Sequence, residues 1–154
     1  MSGLFLRFGI GASLFAMATN EIEEVLPALD WTPVPHAPRC VAGVFVYRGQ
    51  HVPLLDLSEL MAGAPAKIRM STRIVLIRQQ ASGRLLGLLA EHVTETFRAD
   101  EKEFAESGIG MSSAPYLGRI IRRSDELLQH FDINRLLDGE FAEGLFSIDS
   151  RVHH

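Results

Sequence analysis

Short apolar runs separated by turn residues recur along the chain, at the spacing of strands rather than of long helices. Leu4-Phe5-Leu6-Arg7-Phe8-Gly9-Ile10 reads as a strand, and Gly11-Ala12-Ser13 as the turn into a second, Leu14 to Ala18. Asn20 precedes a short helical candidate, Glu21 to Leu26. Ile22, Val25 and Leu26 are spaced to share one of its faces, and Pro27 stops the run. Pro27, Pro33, Pro35 and Pro38 then predict an extended connector, because proline has no place inside a helix or a central strand.

Gly43 to Tyr47 reads as a strand, Arg48-Gly49 as a tight turn and His51 to Leu57 as the return strand. Ser58 is placed to cap a short helix, Glu59 to Met61, before a loop from Gly63 to Lys67. A second hairpin runs from Thr72 to Arg78, through Ala81-Ser82-Gly83, into Leu85 to Val93. Its strands are apolar on both faces, which predicts burial on both sides. The polar stretch from Glu95 to Gly110 reads as an exposed loop or frayed helix. A third hairpin pairs Tyr116 to Arg122 with Leu127 to Asp132 across Ser124-Asp125. A closing helix, Ile133 to Leu137, stops before Gly139, and the tail beyond carries no strong signal. The pattern as a whole predicts a β-barrel-like domain of three hairpins plus an N-terminal one, without the strand–helix alternation of a parallel α/β fold.

Composition narrows the function. The 154 residues are 47% hydrophobic, enough for a core without disulfides or metals. The formal net charge of −4 counts against a general nucleic-acid or anionic-membrane binder. The single cysteine, Cys40, cannot form an internal disulfide, the usual pattern in a reducing cytoplasm. The apolar N-terminus lacks a basic leader, and no window reaches the roughly 18 to 20 apolar residues of a membrane helix.

No catalytic constellation stands out. Cys40 reads first as a small buried hydrophobe and only second as a nucleophile. The internal histidines form no close pair at metal-ligand spacing. Gly108-Ile109-Gly110 lacks the lysine, the preceding strand and the following helix of a phosphate loop. Glu23 and Glu24 read as surface charge before they read as general acids. No catalytic residue, metal ligand or cofactor is expected.

One segment is more specific. Gly43-Val44-Phe45-Val46-Tyr47-Arg48-Gly49-Gln50-His51-Val52-Pro53-Leu54-Leu55-Asp56-Leu57 resembles the signature hairpin of the CheW-like family: a glycine, an Arg-Gly turn and a Pro-x-x-Asp-Leu return strand. Glu24-Val25 followed by a proline-bearing connector is similar to the family's region around its glutamate. Gly87-Leu88-Leu89-Ala90-Glu91-His92-Val93 resembles its Gly-hydrophobic-hydrophobic-Val-Asp-x-Val strand, and Tyr116-Leu117 through Leu137 its last hairpin and short helix. The resemblance covers residues 4 to 137. Val46 stands where the family usually has asparagine, Glu91 where it has aspartate and His92 where it has a small residue.

The resemblance implies an all-β fold of two SH3-like five-stranded barrels in pseudo-two-fold relation, spanning residues 1–138, with a tail from 139 to 154. It implies a non-enzymatic adaptor, without cofactor, that couples chemoreceptor cytoplasmic tips to the regulatory domain of a CheA-type histidine kinase. Such an adaptor is cytoplasmic and is recruited to receptor arrays at the inner membrane. Carried onto this chain, the partner-binding residues are Glu24, Arg48 and Gly49, with Ile22, Val25 and Val44 as apolar contacts. Arg48 at a turn offers a planar fork to a partner carboxylate or helix C-terminus, and Glu24 can meet a partner base or Arg48 itself. The departures fit a diverged copy serving a pilus, surface-sensing or cyclic-dinucleotide pathway. A small β-barrel enzyme using Cys40 is the reading from another class, and a single-stranded nucleic-acid binder ranks last.

Overall fold

The structure, a computed structural model, describes residues 2–28, 30–105, 117–137 and 144–145. The strands are β1 (Ser2–Ile10), β2 (Ser13–Ala18), β3 (Ile22–Pro27), β4 (Val41–Tyr47) and β5 (Gln50–Asp56), then β6 (Arg73–Arg78), β7 (Leu85–Asp100), β8 (Phe104–Ala105), β9 (Leu117–Arg123) and β10 (Glu126–Phe131). Two short helices, α1 (Leu57–Ala62) and α2 (Ile133–Leu137), follow β5 and β10.

The strands form two barrels that share β7. The first has the order β3-β6-β7-β5-β4, and the second β7-β1-β2-β10-β9-β8. Their connectivity repeats. In the first, β3 pairs with the hairpin β6–β7, whose second strand runs parallel to the second strand of hairpin β4–β5. In the second, the end of β7 pairs with hairpin β1–β2, whose second strand runs parallel to the second strand of hairpin β9–β10. A short helix follows the last strand of each set. This repeated connectivity matches the pseudo-two-fold relation that the family resemblance implied.

Strands that are apolar on both faces have two cores to serve. Ile74 and Leu76 of β6 point into the first barrel with Phe45, Val52 and Leu54. Their neighbours Val75 and Ile77 point the other way, into a core between the barrels. There they meet Phe8, Phe15 and Met17 from β1 and β2, and Leu136 from α2. The second barrel has its own interior of Phe5, Phe97, Ile121 and Leu128. Burying a Leu, Ile or Phe side chain is worth about 1.5–3 kcal/mol, so the shared core holds the barrels together as one unit. β7 crosses between barrels at a bulge: its pairing with β1 shifts between Arg7 and Gly9, and His92 sits there at φ 50°.

Three local expectations change. Glu21 to Leu26 is not a helix; a 3-10 turn at Thr19–Glu21 leads into β3, which pairs with β6. A six-residue helix stopped by proline cannot stand alone, whereas the edge of β6 offers a full ladder and β-branched Ile22 and Val25 suit it. Residues 95–100 are not a loop, because β7 continues to Asp100 and buries Phe97 and Ala99 among polar neighbours. The cap of α1 is Asp56 rather than Ser58: its Oδ1 accepts from the amides of Ser58 and Glu59. Beyond Asp100, a 3-10 turn at Glu101–Glu103 leads into β8, which pairs with β9. Residues 106–110, Tyr116 and nearly all of the tail lie outside the described residues.

His130 on β10 lies edge-on to Phe5 and Phe104, with ring centroids 5.8 and 6.3 Å away. Burial holds its imidazole pKa below the ordinary histidine value. The unfolded chain therefore takes up this proton first as pH falls through about 6.5, and the stability present above that pH is lost until the folded value is reached. Urea midpoints measured between about pH 7.5 and 5 are expected to fall less for His130→Gln than for the parent. Equal slopes would remove His130 as the cause.

Candidate functional site

The Arg48-Gly49 turn has positive φ at both residues, 48° and 81°, the geometry of a type I′ hairpin. Tyr47 and Gln50 close it as the last pair of the β4–β5 ladder. Along β4, Phe45 fills the first barrel, Val44 turns to the core between barrels, and Val46 stands 59% exposed.

Beside the turn lies β3, and its two glutamates divide the local cations between them. The Tyr47 hydroxyl donates to Glu24 Oε1 at 2.6 Å. Arg48 Nη2 stands 3.9 Å from the same oxygen, with the guanidinium 5.2 Å from the Tyr47 ring centroid and its side chain 78% exposed. Glu23 takes the fork of Arg78, from Nη2 at 2.9 Å and Nε at 3.2 Å. Arg78 in turn donates to the Gly83 carbonyl at 2.8 Å. These contacts leave signatures on proton affinity. The bond to Glu24 pushes the Tyr47 phenol up, and the Arg78 guanidinium holds the Glu23 carboxyl down.

The strong bond in this corner is therefore Tyr47 to Glu24, and Arg48 is held loosely. An exposed pair at nearly 4 Å is worth about 0–1 kcal/mol. Arg48 can swing to an outside carboxylate without stripping Glu24 of its partner.

The structure thus brings Glu24, Arg48 and Gly49 together. Val25 is 41% exposed on β3, next to Glu24 in sequence. Ile22 is half-buried against the core between barrels, and Val44 at 3% exposure offers little area to a partner. Tyr47 and Arg78 complete the corner without having been expected there. Tyr47 adjoins the turn, so its place was within reach; Arg78 comes from a different hairpin, and nothing in its own neighbourhood marks it. Close by, Thr32 pairs with Val44 across two 2.8 Å backbone bonds. The connector at Pro33 to Pro35 and the face of Val44, Val46 and His51 enclose a largely apolar cleft of about 460 Å³.

Cys40 is half-buried, and burial pushes its thiol pKa up, away from the nucleophilic thiolate. Among the described residues no group of three or more His, Cys, Asp or Glu could hold a metal ion, and no helix is long and apolar enough to cross a membrane.

The model of the CheW-like domain family matches residues 4–141. The chain belongs to the CheW-like family. Among relatives of this CheW-like chain, a probable chemotaxis protein CheW of Rhizobium etli is 26% identical over 96% of this chain and 79% of its own length. The chemotaxis protein CheW of Thermotoga maritima is 23% identical over 86% of each chain. The crystal structure of the scaffolding protein TtCheW from Thermoanaerobacter tengcongensis superimposes with a TM-score of 0.78 at 19% identity, covering 92% of this chain and 91% of that one. That agreement establishes the fold.

In this CheW-like chain, Glu91 is buried and its Oε2 accepts from the Lys67 amide at 3.1 Å, so its carboxylate serves as a loop anchor within the domain.

Proposed function

We propose that this CheW-like domain is a non-catalytic adaptor joining the cytoplasmic tip of a chemoreceptor to the regulatory domain of a CheA-type histidine kinase. In this reading it works in the cytoplasm at receptor arrays, and the corner of Glu24, Tyr47, Arg48 and Gly49 is a partner contact. Membership of the family and the chemotaxis relatives support the first part.

One observation carries the second. Arg48 occupies a left-handed backbone position, φ 48°, where glycine or asparagine sits at lower cost. Holding a bulky cation there costs on the order of 1 kcal/mol. Its side chain returns little of this within the domain, since it is exposed and loosely paired. Strain kept without an internal return points to an external one. A planar guanidinium on a rigid turn suits a partner carboxylate, with Val25 and Val46 as nearby apolar area.

The experiment is a titration of the full chain against the kinase regulatory domain and the receptor cytoplasmic fragment of the same organism. Arg48→Ala is expected to weaken one of these at least about tenfold, a loss of roughly 1.4 kcal/mol. Arg48→Gly is expected to lose the same binding while its urea midpoint stays level or rises. Unchanged affinity in both variants would sink the assignment of Arg48.

A further inference from the structure

The loop between α1 and β6 carries a second exposed surface. Met70 is 93% exposed and Ile68 57%, two of the large apolar side chains that the described fold leaves in solvent. Between and beside them stand Lys67 and Arg69, both exposed, and no ion pair of either occurs among the described residues. Arg7, Arg78, Arg119 and Arg123 are each paired with a glutamate, whereas Arg98, Lys102 and Arg122 are exposed without an ion pair among the described residues. What marks the 67–70 loop is that two such cations alternate with two exposed apolar side chains on one short stretch.

This display is rigidly built. Buried Asp56 accepts from the Ala66 amide at 2.9 Å, and buried Glu91 from the Lys67 amide at 3.1 Å. The hydroxyl of Thr72, 1% exposed, donates to the Lys67 carbonyl at 2.7 Å and accepts from the Arg69 amide at 3.0 Å. The Val93 amide holds the Ser71 carbonyl at 2.9 Å, and the Arg73 guanidinium donates to the Met70 carbonyl. Two buried carboxylates and a buried hydroxyl therefore fix a backbone whose side chains touch little. Preorganisation of this kind removes the ordering cost of a contact before the partner arrives.

We propose that residues 67–70 are a second docking surface, for a partner protein that presents an apolar pocket rimmed by carboxylates. Charge and shape select this occupant. Two apolar side chains and two cations are too small a signal for stable anchoring to an anionic bilayer. A second copy offers no match either, because the apolar cleft beside β4 has no carboxylate in its lining. The surface is separate from the Arg48 corner. Arg73, at the start of β6, adjoins the loop, and Arg78, at its end, belongs to the corner, so the strand sets them about 17 Å apart. Both faces can be occupied at once, as an adaptor between two larger proteins requires.

The adaptor reading supplies the choice of probes. The full chain, Met70→Ser and the double variant Lys67→Glu/Arg69→Glu are each titrated against the receptor cytoplasmic fragment and the kinase regulatory domain. Titrations are run at about 50 and 300 mM salt, on either side of the screening range. All substituted side chains are exposed, so thermal midpoints are expected to match the parent. The expected result is a loss of at least about tenfold for one probe in both variants, with a steeper salt dependence in the parent. The probe lost is expected to be the one that Arg48→Ala leaves bound. Parent-like binding of both probes by both variants overturns this surface alone. Loss of the same probe as Arg48→Ala, or binding of vesicles of one-half anionic lipid that the variants abolish, also overturns it. A parent protein that takes up neither probe overturns both this inference and the adaptor reading.

Discussion

Gly43→Ala is expected to lower the stability of the domain by about 2–5 kcal/mol, a large share of the 5–15 typical of a small domain. Two terms combine. Gly43 has φ 155°, where a side chain is strained by about 1–3 kcal/mol. A Cβ there would also lie 2.2 Å from the Thr32 carbonyl oxygen and 2.7 Å from its carbon. Those are backbone atoms, locked by the two Thr32–Val44 bonds, so no rotamer change relieves the clash. Overpacking of this kind adds about 1–3 kcal/mol. The connector must then leave β4, opening the cleft and loosening the hairpin that carries Arg48. Gly11→Ala separates the terms, since Gly11 also has positive φ, 59°, but nothing stands within 4 Å of its Cβ. Urea melts should place Gly43→Ala well below Gly11→Ala. Equal midpoints would mean that the connector yields easily and the close approach is unimportant.

That close approach also shows what the sequence could and could not reveal. Hairpin β4–β5, with its Arg-Gly turn, was legible because two positive φ values in succession leave a local mark. Double-sided burial in β6 and β7 was legible too, since both faces are apolar. What was lost lay in contacts between distant segments. β3 carries apolar residues at spacing compatible with a helix, and only the free edge of β6, some fifty residues on, decides for a strand. Phe97 and Ala99 extend β7 into the second barrel, but Glu95, Thr96, Arg98 and Asp100 around them have the composition of a loop. In the candidate site, Glu24 and Arg48 could be carried over from a resemblance. Arg78, which takes up Glu23 and so leaves Glu24 to Tyr47 and Arg48, could not.

The repeated connectivity of the barrels sets up a comparison between two aspartates. Asp56 ends β5 and caps α1; Asp132 follows β10 and caps α2 by accepting from the Arg135 amide at 3.2 Å. Their chemistry is alike and their surroundings are not. Asp56 is 5% exposed and serves three amides, Ser58 and Glu59 through Oδ1 and Ala66 through Oδ2, whereas the Asp132 bond is open to water. Water can replace the exposed carboxylate. At the buried one, alanine leaves donors without a partner, and each such group costs about 1–3 kcal/mol. Asp56→Ala is therefore expected to cost about 3 kcal/mol or more, and Asp132→Ala about 1 or less. Burial pushes the Asp56 carboxyl pKa up in spite of its three donors. The folded state thus holds this proton more tightly than the unfolded chain, and the group's contribution to stability is lost as pH rises from the ordinary carboxyl range through the folded value. Asp56→Asn keeps an acceptor for Ser58 and Glu59 and removes the titration, so it should fall between parent and alanine near neutral pH. Its stability relative to the parent should worsen as pH is lowered through that window. Because Asp56 also anchors the Ala66 amide, next to the Lys67 amide that Glu91 holds, the alanine variant is expected to lose protection of the Ala66 amide in hydrogen exchange before the barrels open. Simultaneous exchange of Ala66 and the β6 amides would show instead that the loop and the first barrel unfold as one.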